Sequence, residues 1–267
     1  MPTKKRLERN NERHFNATMT IKDDIVEVPT RTGLMRTYIF RPANDFRAPA
    51  IILYSEIFQV TGPIRRTAAI FAGQGYMVAV PEVYHELEPA GTVLAYDQAG
   101  ADVGNAHKYG KALSSYDEDA RALIAYLKAR EDCSGRIGCV GICLGGHLAF
   151  RAAMNRDVLA TACFYATDIH SGTLGKGKQD DSLARAAEIK GELLHIWGRQ
   201  DPHVPLEGRN QIKARLDEAN VNFQWFEVNG AHAFMRDEGY RYNPGLAHVC
   251  YGLAFDLFHR NLSLSSL

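Results

Sequence analysis

The chain has 267 residues, 46% hydrophobic and 23% charged, enough apolar material for one large domain with a sizeable core. Lysine plus arginine and aspartate plus glutamate each number 31, so no bulk charge draws the chain to nucleic acid or an anionic membrane. A charged N-terminus without an apolar signal core, no apolar run near ~18 residues, and five unpatterned cysteines together point to a cytoplasmic protein with free thiols.

Residues 1–20, mixed in charge and poor in apolar side chains, read as a flexible arm, and residues 21–267 as a single α/β domain. IVEV and LMRTYIF read as short strands parted by a turn at Arg31, Thr32 and Gly33. The continuous apolar run 48–54 predicts a buried central strand, 64–75 a helix closed by Gly75, and 76–84 the next strand. From His85 to Ser115 no clean period emerges, and the segment reads as an excursion with partial helix. Residues 116–130 predict a helix with acids in its first turn and bases in its last, matching the macrodipole. Beyond it, strands are expected at 136–142, 159–166, 192–198 and 223–230, with helices at 144–154, 206–220 and 247–262. This alternation implies right-handed crossovers and a mostly parallel sheet of about eight strands with helices on both faces.

Within RIGCVGICLGGHLAF (136–150), Cys143 stands between a predicted strand and a predicted helix, flanked by Gly141 and Gly145. That is the G-x-Nuc-x-G pattern of a nucleophile elbow, with cysteine as the nucleophile. A sharp strand-to-helix turn strains the nucleophile's backbone and leaves no room for side chains two residues away on either side. The helix then aims its positive end at the sulfur, favouring thiolate, and the Leu144 N–H becomes an oxyanion donor. A dinucleotide-binding glycine turn would instead want G-x-G-x-x-G early in the chain.

A nucleophile needs a base and an orienting acid further along, in the order acid then base. His232, in NGAHAF, follows a predicted strand and precedes the last helix, and Asp201 directly follows the strand ELLHIWG in GRQDPHVP. His195, His147, His248 and His259 read as packing or surface residues, whereas His85 and His107 fall in the excursion and are candidates to line a cleft. Neither a CxxC pair nor HExxH is present, so no metal and no cofactor is expected. The competing functions are a non-catalytic small-ligand-binding protein and a thiol redox sensor; Cys139, the nearest cysteine to Cys143, is not in a CxxC arrangement.

The chain resembles the dienelactone hydrolase (carboxymethylenebutenolidase-like) family of the α/β-hydrolase superfamily. The resemblance rests on GICLGG around Cys143, GRQDPHVP around Asp201, GAHAFMR from His232 to Arg236, and SEIFQV around Glu56, and spans roughly residues 22–262. It implies an α/β-hydrolase fold and hydrolysis of a small, anionic ester or enol-lactone, with Cys143 attacking, His232 as base and then acid, and Asp201 orienting it. It further implies Glu56 as the carboxylate that helps take the resting thiol's proton. Ile57 is implied as the second oxyanion donor, and Arg236 as a substrate-carboxylate ligand. Lys108 and Lys111 lie where a second cation would be sought. Two departures stand out: Ile142 where the family often has an aromatic, and an insertion-like stretch at 85–100. The expected partner is a small-molecule substrate, with no nucleic acid or membrane, and an oligomer is allowed.

Overall fold

The computed structural model describes residues 20–44 and 46–263, so the arm expected over residues 1–20 lies outside them apart from Thr20. Eight strands form one sheet: β1 Ile21–Thr30, β2 Gly33–Pro42, β3 Ala48–Tyr54, β4 Met77–Pro81, β5 Cys133–Ile142, β6 Val158–Phe164, β7 Glu192–Gly198 and β8 Phe223–Val228. Their spatial order is β1-β2-β4-β3-β5-β6-β7-β8. β1, β2 and β4 pair antiparallel, and every pair from β4–β3 to β7–β8 is parallel. β1, mostly exposed and carrying Asp23 and Asp24, is an edge strand whose charges discourage further pairing. β7 in the interior is buried at every residue, its apolar side chains interrupted only by Glu192 at its start and His195.

Among the described residues six α-helices cover the sheet: α1 Gly62–Ala72, α2 Gln98–Gly110, α3 Leu113–Ala129, α4 Leu144–Ala152, α5 Leu206–Glu218 and α6 Pro244–Leu262. α1 and α6 form one layer, where the Phe71 ring meets Tyr251, Phe255 and Phe258 edge-on at centroid distances of 6.0, 5.4 and 5.9 Å. α3 and α4 pack together in the other, joined by the bidentate Arg151–Asp117 pair. Among the described residues no helix is long and apolar enough to cross a membrane, and all five cysteines are buried and free.

The structure departs from the sequence expectations at identifiable points. The helix expected at 64–75 ends at Ala72, and Gly75 instead takes φ +96° in the turn into β4. α3 starts at Leu113, so Asp117, Glu118 and Asp119 lie beyond its first turn. There Asp119 accepts 2.6 Å from the fully buried Lys111, whose Nζ also donates 2.8 Å to the Val83 carbonyl. The unreadable excursion contains a full helix, α2, N-capped by Asp97, whose side chain accepts from the Gly100 amide at 2.8 Å.

At the far end of the sheet, Glu192 at the start of β7 ties three elements together. It accepts from Gln224 on β8 at 2.8 Å, from both Arg260 terminal nitrogens on α6 at 2.7 and 2.9 Å, and from Asn261 at 2.9 Å. These bonds, the Arg260 pair foremost, hold its carboxyl at about 2 against an ordinary 4.5. The folded state therefore binds this proton less readily than the unfolded one. The linked stability is present above about pH 4.5 and is lost as pH falls through 2. Because Arg260 is partly exposed, Glu192→Gln is expected to cost only about 1–2 kcal/mol in urea unfolding at pH 7. That gap should close as the measurement is repeated down to pH 2; a constant gap would refute the linkage.

Candidate active site

The carboxyl ends of β3, β5, β6, β7 and β8 open on one edge of the sheet because these strands run parallel. Glu56, Cys143, Asp168, Asp201 and His232 all lie in the segments that follow them. Cys143, between β5 and α4, holds φ 60° and ψ −121°, a conformation that L side chains rarely adopt. Its amide donates to the Phe164 carbonyl at 3.1 Å, and its carbonyl accepts from Gly146 at 3.0 Å and Thr167 at 3.2 Å, which pins the turn against the end of β6. The flanking glycines are required: a Cβ on Gly141 would strike the Gly145 carbonyl, and one on Gly145 would strike the Tyr54 carbonyl.

His232 and Asp201 converge on this cysteine. His232 Nε2 lies 3.3 Å from Cys143 Sγ, and its Nδ1 lies 2.7 Å from Asp201 Oδ2. The second carboxylate oxygen of Asp201 accepts from the His203 backbone amide at 2.8 Å. His232 is 7% exposed and Asp201 4%. Burial alone would push the imidazole towards its neutral form. Negative charge at Cys143 and the hydrogen bonds to Asp201 and Cys143 overcome that penalty, and its pKa rises to about 10. The edge of the Tyr165 ring, 5.2 Å away, closes one side of the imidazole.

Glu56 is 3% exposed and sits beside this group. Desolvation raises its carboxyl above the ordinary value, partly offset by Arg236, by the Tyr96 hydroxyl and by His232. Arg236 Nη1 is 4.0 Å from Glu56 Oε1, and Tyr96 donates 3.0 Å to Oε2. The same Tyr96 lies under the Arg236 guanidinium at 4.1 Å, meets Thr61 Oγ1 at 2.6 Å, and packs on Phe58 with ring centroids 4.8 Å apart. Tyr96 is the residue that sequence reasoning missed. The readable signal was its neighbour Asp97, whose helix-capping role marks the end of the loop that delivers it.

These groups line an open cleft of about 650 Å³ whose walls include Glu56, Ile57, Tyr96, Cys143, His232 and Arg236. Leu144 opens α4, so its amide has no intrahelical acceptor. Lys108 also faces the cleft, paired with Asp168 at 2.9 Å, and Arg241 stands at its wall. Lys111 does not: it is wholly buried beneath α3. Nor do the two excursion histidines line the cleft. His85 bonds Thr30 and Thr32, each at 3.1 Å, and His107 bonds Glu88. His195 is fully buried, stacked on Trp197 at 5.2 Å, and desolvation lowers it to about 3.

The sequence profile of the dienelactone hydrolase family matches residues 35–262. The chain is 40% identical over 258 residues to a Saccharomyces cerevisiae protein named "Putative carboxymethylenebutenolidase", covering 92% of this chain and 94% of that one. It is 31% identical over 193 residues to a Pseudomonas putida carboxymethylenebutenolidase, covering 71% and 76% respectively. A crystal structure from Klebsiella pneumoniae, titled "Putative Dienelactone Hydrolase", superposes with a TM-score of 0.78 at 21% identity, covering 90% of this chain and 99% of the other. At that identity the superposition establishes the shared fold.

The elbow geometry sets a stability test. Gly141→Ala is expected to cost about 3 kcal/mol or more in urea unfolding, because its Cβ meets backbone that cannot yield. Gly252→Ala on α6, where nothing lies within 4 Å, is expected to stabilise by up to about 1 kcal/mol. Equal effects at the two sites would contradict the packing described for the turn.

Proposed function

Since the chain belongs to the dienelactone hydrolase family, whose members cleave ester and lactone bonds, we propose that it does so through a Cys143–His232–Asp201 triad acting on a small anionic ester or enol-lactone. The observation that carries the reading is the unbroken chain of contacts, 3.3 Å from Sγ to Nε2 and 2.7 Å from Nδ1 to Asp201, at the base of an open cleft.

The Cys143 thiolate adds to the carbonyl carbon, and the developing oxyanion is received by the Leu144 and Ile57 amides. The C–O bond then breaks, His232 Nε2–H gives its proton to the leaving oxygen, and a thioester remains on Cys143. Water next gives a proton to His232 and attacks that thioester, and the thiolate leaves. Asp201 keeps the imidazole in one tautomer and supports its positive charge throughout. Enol and activated alkoxide leaving groups suit this arrangement, because they need less proton transfer than an amine. The carboxymethylenebutenolidase relative has, by its name, an enol-lactone substrate that bears a carboxylate.

Glu56 gives the site its selectivity in time. A carboxylate beside a thiol opposes thiolate formation by like charge, and its own raised pKa equips it to help take the thiol proton and pass it to His232 Nε2, from which it reaches the leaving oxygen. Arg236 is shared between Glu56 and the cleft, so an anionic substrate competes for it and frees the carboxylate. A non-catalytic binding role would leave the aligned base and acid without a purpose.

Assays with short p-nitrophenyl esters and an unsaturated lactone check the triad. Cys143→Ala and His232→Ala are each expected to lower kcat/KM by about 10³ or more; activity that survives loss of Cys143 sinks the mechanism. Arg236→Ala is expected to raise KM for a carboxylate-bearing ester about tenfold or more while sparing a neutral one. Equal losses on both would remove Arg236 from substrate recognition.

A further inference from the structure

The acid loop carries a second histidine that the hydrolytic mechanism does not use. His203 follows Asp201 by two residues, and its ring stands edge-on to that of His232, with centroids 4.4 Å apart and planes at 65°. It lines the cleft. Its backbone amide serves Asp201, but its two ring nitrogens have no hydrogen-bond partner among the described residues. The nearby Asp168 carboxylate is already held by Lys108. One donor atom from each of Asp201, His203 and His232 lies within 4.8 Å of the others.

We propose that Asp201, His203 and His232 form a capture site for a zinc ion, and that the ion shuts the triad. Two imidazoles and one carboxylate are an N/O donor set suited to zinc, at ligand distances of roughly 2.0–2.2 Å. Tetrahedral binding at those distances needs donors ~3.3 Å apart: the Asp201–His232 contact opens from 2.7 Å as the ion takes the place of the proton between them, and the exposed, unbonded His203 ring closes in by side-chain rotation. The fourth position is left to water from the open cleft. Magnesium, which demands octahedral oxygen ligands, fits this set poorly.

Asp201 lies on the Nδ1 side of His232, so the metal enters there and the base is lost. Coordination at Nδ1 shifts the imidazole proton to Nε2, where it fills the lone pair that would take the thiol proton, and it removes the orienting bond to Asp201. The metal is thus a reversible inhibitor, and a chelator raises activity instead of abolishing it. Without His203 the triad offers only one imidazole and one carboxylate, so the histidine at this place in the loop makes the site.

The inhibition rests on the reading of His232 as the base; the binding does not, and the two are measured separately. Zinc is titrated into chelator-treated full-length protein against a chromophoric competitor, and residual ester hydrolysis is followed in parallel. One ion per chain is expected, with inhibition tracking occupancy. His203→Ala and His203→Phe should each weaken binding by about tenfold or more and move the inhibition curve by the same factor. Cys143→Ala should bind zinc like wild type. Unchanged affinity in both His203 variants overturns the proposal, as does loss of binding in Cys143→Ala, which would place the ion between Cys143 and His232 alone. An active enzyme that binds no zinc overturns this inference and leaves the hydrolase reading standing. A protein inert toward esters that still binds zinc through His203 supports the metal site and sinks the hydrolase reading.

Discussion

A cysteine held at φ 60° is the constraint from which the rest of the site follows. That conformation costs of order 1–3 kcal/mol, offset by the backbone bonds from Cys143 to Phe164, Gly146 and Thr167. It turns the sulfur out of the sheet edge and starts α4 at the next residue, so nucleophile and helix N-terminus share one point. Everything else must come to that point. β7 and β8 bring Asp201 and His232, and β3 brings Glu56 and Ile57, each at the carboxyl end of a parallel strand. The glycines either side are clearance for that turn: Gly145 lets α4 lie against the Tyr54 carbonyl at the end of β3.

The second theme is charge held at low exposure. A carboxylate, a guanidinium, a phenol and an imidazole crowd the thiol within one wall of the cleft. Burial alone would neutralise Glu56 and His232, yet the two are driven the same way for different reasons. Desolvation lifts Glu56, whereas an ionised Cys143 together with Asp201 outweighs desolvation and lifts His232. Tyr96 stabilises both ends of the Glu56–Arg236 pair, by a hydrogen bond on one side and its ring face on the other. A substrate anion that takes Arg236 therefore perturbs the whole wall at once.

How far the sequence could be read follows from the same physics. β3 was legible because a strand buried on both faces is written as an unbroken apolar run, and β7 because only His195 interrupts the apolar stretch after Glu192. Cys143, Asp201 and His232 could be singled out because each stands just past a strand predicted from the sequence, in the order that a nucleophile, acid and base would require. α2 was not legible, for its buried positions are Gly100, Gly104 and Lys108, which give no apolar stripe to count. Gly104 is there so that the helix can lie on the Ile57 backbone, where a Cβ would come within 2.6 Å of the carbonyl. Tyr96 stayed hidden for that reason: it is delivered to the cleft by the loop that leads into this unpatterned helix, whereas Lys108 could be named only as a place where a second cation would be sought. His203 was masked differently, by a proline-braced loop that reads only as a turn.

The central claim is that Cys143 carries the acyl group through the reaction. Rapid mixing with excess activated ester, an acid quench during the first turnover and mass spectrometry of the peptide containing residue 143 test it directly. A thioester on Cys143 that forms before product release and decays at the turnover rate is the expected result. Hydrolysis that proceeds with no acyl adduct on Cys143, or with the acyl group on another residue, would contradict it.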